Sequence, residues 1–263
     1  MSKNKKINTI EMSAIDIYKL VLTGKLKQFP RNFFDKPDSL KETAEITRYF
    51  IEEILQWNNE DIKKKISAKI FHNNKLGGML AYIFKNSTFN AIDNAYPNIF
   101  KPWELNKTPK NFWNKETCIK AIKWLIEEKL KWNDNDIKNK LDTWIFVNNR
   151  LGGMLYQHFK NSSFEAINLV YPNKFKEWEF KHTPINFWTK EKGIDATKWL
   201  IEEKLKLSIH KVKYIISYKD FIDNGLKGML TTMFDNSTKK ALEETYPNED
   251  FSMIISGLSI KYR

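Results

Sequence analysis

A chain of 263 residues with 41% hydrophobic and 14% aromatic side chains has enough apolar surface to fold, which excludes a disordered chain. Its one cysteine, Cys118, excludes an intramolecular disulfide and a cysteine-based zinc cluster, and no apolar run reaches the length of a membrane helix. The net charge of +12 points to a polyanionic partner, nucleic acid before a membrane surface, although an A+T-rich coding sequence also enriches lysine and asparagine.

The charge is uneven: +4 over 1–28, +2 over 29–108, +4 over 109–183, 0 over 184–251 and +2 over 252–263. Arginine is scarce, with Arg31, Arg48, Arg150 and Arg263 against forty lysines. Lysine meets phosphate as a point charge, whereas arginine suits two-pronged reading of guanine. Contact with the sugar-phosphate backbone is therefore expected to dominate over base reading.

Residues 1–28 form a basic arm and a short helix, which Ser13 caps, Ile15, Tyr18 and Leu22 line, and Gly24 ends. The start Met-Ser-Lys-Asn-Lys-Lys lacks the apolar core of a secretory signal, so a cytoplasmic protein is expected. A helix docked on the adjoining repeat is the favoured role for the arm.

The rest is one unit written three times, over 29–106, 107–181 and 182–251, with a tail over 252–263. Leu76, Leu151 and Leu226 are 75 residues apart, as are Tyr96, Tyr171 and Tyr246, a period of domain size. Each copy opens on proline and aromatics: Pro30 to Phe34, Pro109 to Trp113, Pro184 to Trp188. The first copy is four residues longer here. A capping box at Ser39 and Glu42, and N-caps at Asn114 and Thr189, then start the first helix of each copy.

That helix runs through Ile46, Phe50, Ile54 and Leu55 and their counterparts. Its acidic pairs, Glu52 with Glu53, Glu127 with Glu128 and Glu202 with Glu203, diverge by about 100° on a helix, which suits a solvated face better than a metal or catalytic site. Asn58, Asn133 and Ser208 are expected to cap a second, short helix over Asp61 to Ser67, Asp136 to Asp142 and His210 to Ser217, with Phe71, Phe146 and Phe221 in the turn after it.

Next comes Leu76-Gly-Gly-Met-Leu80, repeated from Leu151 and, as Leu-Lys-Gly-Met-Leu, from Leu226. On a helical wheel Leu76, Met79, Leu80, Ile83 and Phe84 share the core side, and Lys75, Gly77, Gly78, Ala81, Tyr82 and Lys85 face outward. Asn74, Asn149 and Asn224 are placed to N-cap this helix. The core positions repeat while most outward ones change, as expected if three copies of one scaffold touch different parts of an extended partner. Gly78 is the exception, since it faces outward yet recurs as Gly153 and Gly228. Glycine inside a helix costs about 1 kcal/mol relative to alanine. Either a neighbouring helix of the same copy packs against it, or a phosphate backbone lies against the first turn, where free N–H groups favour an anion.

Asn86-Ser87, Asn161-Ser162 and Asn236-Ser237 cap a fourth helix ending at Tyr-Pro, with Ser162 and Glu165 as a capping box. Linkers with a bulky anchor, Phe100 to Glu104 and Phe175 to Glu179, join the copies. Trp103 and Trp178 are expected to pack between neighbours, with stacking on a base as the alternative.

The run Phe84-Lys-Asn-Ser87 to Ala91, after a short helix and a turn, resembles the helical repeats that accompany some homing HNH endonucleases. An extra residue separates Phe from Ser, Asn replaces their Gly, and no nuclease signature is present. The resemblance implies a DNA-reading helix ahead of the break. The whole pattern, from Pro-x-Asn-Phe-Trp through Leu-Gly-Gly-Met-Leu to Tyr-Pro-Asn and Trp-Glu, is similar to an uncharacterised tandem-repeat family of Gram-positive bacteria and their phages, which implies no activity.

His72, His158, His182 and His210 are not spaced as metal ligands, and His158 falls toward the core side of its helix. Gly77-Gly78 lacks the following Gly-Lys-Ser/Thr of a phosphate loop. No catalytic residue, metal or cofactor is expected.

The expected protein is all-α: three tandem helix-turn-helix-like repeats that bind double-stranded DNA. Proposed contacts are Lys75, Gly77, Gly78, Tyr82 and Lys85; Arg150, Gly152, Gly153, Tyr156, Gln157 and Lys160; and Lys227, Gly228, Thr231 and Thr232. Arg150 is the first candidate for a base contact, with phosphate as its alternative. The third repeat is neutral and carries Asp235, so it is expected to contribute least and to suit a protein partner instead. A scaffold for protein partners and an RNA-binding protein with exposed aromatics are the rival readings.

Overall fold

The computed structural model describes residues 9, 11–109, 111–184 and 186–254, which are helices and connections with no strand among them. Residues 1–8 and 10 of the basic arm and the tail beyond 254 lie outside the described residues, as do Lys110 and Ile185. The chain divides into two compact units, 1–118 with 149–151 and 119–148 with 152–263.

After helix α1 (Ala14–Leu22) the first repeat contains α2 (Ser39–Tyr49), α3 (Asn59–Lys65), α4 (Ala68–Asn73), α5 (Gly77–Phe84) and α6 (Thr88–Ala95). The second repeats this as α7 (Lys115–Lys123), α8 (Asp134–Lys140), α9 (Thr143–Asn148), α10 (Gly152–Phe159) and α11 (Ser163–Val170). The third comprises α12 (Lys190–Lys198), α13 (Ile209–Ile215), α14 (Tyr218–Asp223), α15 (Lys227–Met233) and α16 (Thr238–Thr245). Each repeat therefore has one more helix than the sequence pattern indicates. Phe71, Phe146 and Phe221 are not in a turn but inside α4, α9 and α14, fully buried.

The first helix of each repeat ends in a π-helical turn, over Phe50–Ile54, Trp124–Lys129 and Trp199–Lys204. The Leu55 amide reaches back five residues to the Phe50 carbonyl at 3.0 Å. This wider turn puts Phe50 and Ile51 both into the core and swings Ile54 out to 37% exposure, so Ile54 is not the core residue that a regular helix would make it. Glu52, Glu53 and their counterparts are exposed. One of each pair nevertheless has a structural partner: Tyr96 donates its hydroxyl to Glu52 at 2.9 Å, Tyr171 to Glu127 at 2.7 Å and Tyr246 to Glu202 at 2.9 Å. Burial, and then this bond, pushes each phenol above its ordinary value.

Caps follow the sequence at most helix starts. Ser13, Asn58, Ser87, Asn133, Ser162, Thr189 and Ser237 each accept a backbone amide with the side chain, and Asn114 accepts from the Thr117 amide at 3.0 Å. Four expectations fail. Ser208 makes no side-chain cap bond, and Ser162 accepts the Glu165 amide without the return bond of a capping box. Ser39 is the first residue of α2, not its cap, and Glu42 pairs with Lys36 instead. Asn74 and Asn224 do not cap the helix ahead; they close the one behind, donating to the Ile70 and Asp220 carbonyls at 2.9 and 2.8 Å.

In the first unit α1 docks on the repeat with Ala14, Ile17, Tyr18 and Val21 buried. Tyr18 donates to the Asn74 carbonyl at 3.1 Å, bracing the link between α4 and α5. Trp103, from the linker, is buried there against Trp113, with ring centroids 6.4 Å apart. The second unit repeats the joint: Trp178 lies over Trp188 at 6.5 Å and meets Trp199 edge-on at 6.0 Å. Both linker tryptophans are thus packed on the opening aromatics of the next repeat.

Candidate nucleic-acid interface

The helix bearing the glycines is held from beneath. Leu76, Met79 and Leu80 are fully buried, as are Leu151, Met154 and Leu155, and Leu226, Met229 and Leu230; burial of side chains this size stabilises by about 1.5–3 kcal/mol each. Three residues join it to the helix before, and the middle one, Lys75, Arg150 or Gly225, is left-handed with φ of 64°, 63° and 80°. Only the third copy has glycine where that conformation costs no strain. After the helix, Lys85, Lys160 and Asp235 are left-handed in turn, each succeeded by a left-handed asparagine.

The outward face is open in the first two repeats. Nothing lies within 4 Å of where a Cβ would sit on Gly78 or on Gly153, so no neighbouring helix of the same repeat packs against either. Gly228 differs, because a Cβ there would stand 3.3 Å from the Trp188 indole nitrogen. Gly77, expected outward, is buried, and a Cβ on it would overlap the His72 ring. At Gly152 the Val147 Cγ2 would be 3.1 Å away. These two glycines have a reason within the fold; Gly78 and Gly153 have none.

Lys75, Lys85, Lys160 and Lys227 are exposed and have no carboxylate partner among the described residues. Arg150 belongs to the first unit, where its guanidinium donates to the Lys63 carbonyl at 3.1 Å. Tyr82 is exposed and its hydroxyl donates to the Asp35 carboxylate; that bond holds the phenol above its ordinary value. Tyr156 and Gln157 are exposed. Thr231 and Thr232 turn their hydroxyls back on the Lys227 and Gly228 carbonyls at 3.0 and 2.7 Å. Asp235 is neutralised by Lys240 at 2.7 Å.

His158 is exposed rather than packed. An eight-residue helix buries a narrow stripe, and position 158 lies on its rim. Among the described residues no group of three or more His, Cys, Asp or Glu is placed to hold a metal ion, and no helix is long and apolar enough to cross a membrane.

The sequence reading missed two exposed apolar side chains on the second repeat. Trp144 and Val147 of α9 are 67% and 43% exposed, and Tyr156 of α10 is 69% exposed. Trp144 takes the place of Lys69 and Lys219 in the other copies, and this break in a basic position was the available signal. The fold thus defines a tandem-repeat protein built wholly of helices in its described part. Three successive segments, 14–101, 102–176 and 173–251, match the family described as "Protein of unknown function (DUF4046)", and the chain belongs to that family. No curated protein and no solved structure gives a match.

Proposed function

We propose that this chain binds double-stranded DNA, with the outward faces of α5, α10 and α15 set against or into the major groove. The observation that carries the reading is the pair Gly78 and Gly153. They keep the first turn of an exposed helix bare without an internal packing reason, and cations without carboxylate partners, Lys75 and Lys85 on one and Lys160 on the other, flank them. A bare first turn with free amides and nearby lysines suits a phosphate backbone. The two short helices joined by three residues, with a left-handed residue between, suit a helix-turn-helix. The resemblance to repeats accompanying homing endonucleases points the same way and suits a regulator or an accessory protein of a mobile element.

Contacts are assigned to Lys75, Gly78, Tyr82 and Lys85; Gly153, Tyr156, Gln157 and Lys160; and Lys227, Thr231 and Thr232. The test is a titration with a generic duplex at several salt concentrations. Wild type binds with a log-log salt slope that Lys75→Ala/Lys85→Ala/Lys160→Ala makes shallower by roughly 0.9 per lost phosphate contact. No binding at low salt overturns the reading.

One observation favours a protein partner instead: the exposed Trp144, Val147 and Tyr156 are of the kind that anchors protein interfaces. That reading predicts little affinity for DNA. For RNA binding, neither Trp103 nor Trp178 offers an exposed stacking surface, and the exposed aromatics include Tyr82, Trp144 and Tyr156 instead.

A further inference from the structure

We infer that the duplex preferred by this chain is rich in A·T pairs and is read from the major groove; the inference rests on the DNA-binding reading above. Each base edge there asks for a particular chemistry. Guanine asks for two donors on one side chain, cytosine for a carboxylate, adenine for an amide, and thymine for an apolar contact with its methyl group.

The exposed positions midway along the three helices are Ala81 with Tyr82, Tyr156 with Gln157, and Thr231 with Thr232. Gln157 has the paired donor and acceptor that adenine requires. Tyr82 has its hydroxyl hydrogen engaged by Asp35, so a base meets the ring. The Thr231 hydroxyl lies within bonding distance of Asn236 Oδ1 at 2.8 Å and the Lys227 carbonyl at 3.0 Å, and Thr232 donates to the Gly228 carbonyl at 2.7 Å, so both offer methyl groups. Ala81 offers a methyl group as well.

The partners of G·C pairs are absent from these positions. Arg150 stands in the turn ahead of α10, tied through Nη1 to the Lys63 carbonyl at 3.1 Å, and Arg48 lies on α2, tied through Nη1 to the Ala95 carbonyl at 2.9 Å. Asp235, a possible acceptor for cytosine, is held by Lys240 at 2.7 Å. Lys85 and Lys160 come after the helix has ended, outside the exposed turn that carries these pairs, and each brings a single ammonium in place of a fork. Lys227 begins α15, but a single flexible ammonium lacks the fork that selects guanine.

The test uses the full chain with two mixed-sequence duplexes of equal length, one all A·T and one all G·C, in competition at fixed salt. The expected result is roughly tenfold or greater preference for A·T, the scale of one good base contact. Deoxyuridine in place of thymidine removes only the methyl group, and 7-deazaadenine removes only the N7 acceptor. Each lowers the preference, and Gln157→Ala abolishes the response to 7-deazaadenine while keeping the response to deoxyuridine. Equal competition by two duplexes that both bind overturns the inference and leaves the DNA-binding reading standing. A preference that survives both base edits also overturns it, since groove shape would then be what is read. Failure of both duplexes to bind at low salt removes the DNA-binding reading and this inference together.

Discussion

Gly78 and Gly153 separate a requirement of the fold from a requirement of a partner. A methyl group added at either meets nothing within 4 Å, and alanine is the better helix former by up to about 1 kcal/mol. Gly78→Ala/Gly153→Ala is therefore expected to unfold at a higher denaturant concentration while binding duplex DNA more weakly. Lower stability with unchanged binding sinks the argument. Gly228→Ala is the contrast, since the Trp188 indole must give way. The outward position of Gly78 was readable from the wheel. The burial of Gly77 was not, because it depends on His72, five residues earlier on a helix too short to be recognised.

At the level of the element, short helices depend on their ends. The Asn58 side chain accepts the Asp61 amide at 3.0 Å, Asp61 returns the bond at 3.3 Å, and Asn133 with Asp136 repeats the arrangement. Asn58→Ala or Asn133→Ala is expected to cost about 1 kcal/mol of stability in chemical denaturation. Bonds from Lys65 and Lys140, and then from the cap amides, hold Asp61 and Asp136 below their ordinary value of 3.8. Since the folded value is the lower one, this contribution is complete above about pH 4 and disappears as pH falls through the folded value. Asp61→Asn/Asp136→Asn should accordingly flatten the acid limb of a stability-pH profile below pH 4, and an unchanged limb counts against the linkage. These caps were legible because Asn and Asp stand at fixed spacing before an apolar residue. Helix α4 was not, because its six residues make under two turns and show no period. The π-helical turn was hidden for another reason: Phe50, Ile51 and Ile54 fit an ordinary helix until one counts which of them are buried.

For the molecule as a whole, the repeat was the most legible feature, because Leu76, Leu151 and Leu226 fill the same buried position. The place of the linkers was legible in Trp103 and Trp178, whose bulk needs a neighbour. Which neighbour was not, since pairing with Trp113 and Trp188 is settled by the path of the chain. Trp178→Ala should destabilise the second unit by roughly 2 kcal/mol, about half the loss typical of a fully buried tryptophan, and equilibrium unfolding monitored by Trp fluorescence and circular dichroism measures it. Stability within about 0.5 kcal/mol of wild type would show that the ring only decorates the linker.

The same joint bears on how such an array changes over generations. Each linker carries the indole that seats the module after it, and each module brings its own opening aromatics to receive one. A duplicated stretch of 75 residues therefore arrives with both halves of its coupling. Recombination between copies can lengthen or shorten the array by whole modules, adding or removing a contact surface in discrete steps, with no new joint to be invented.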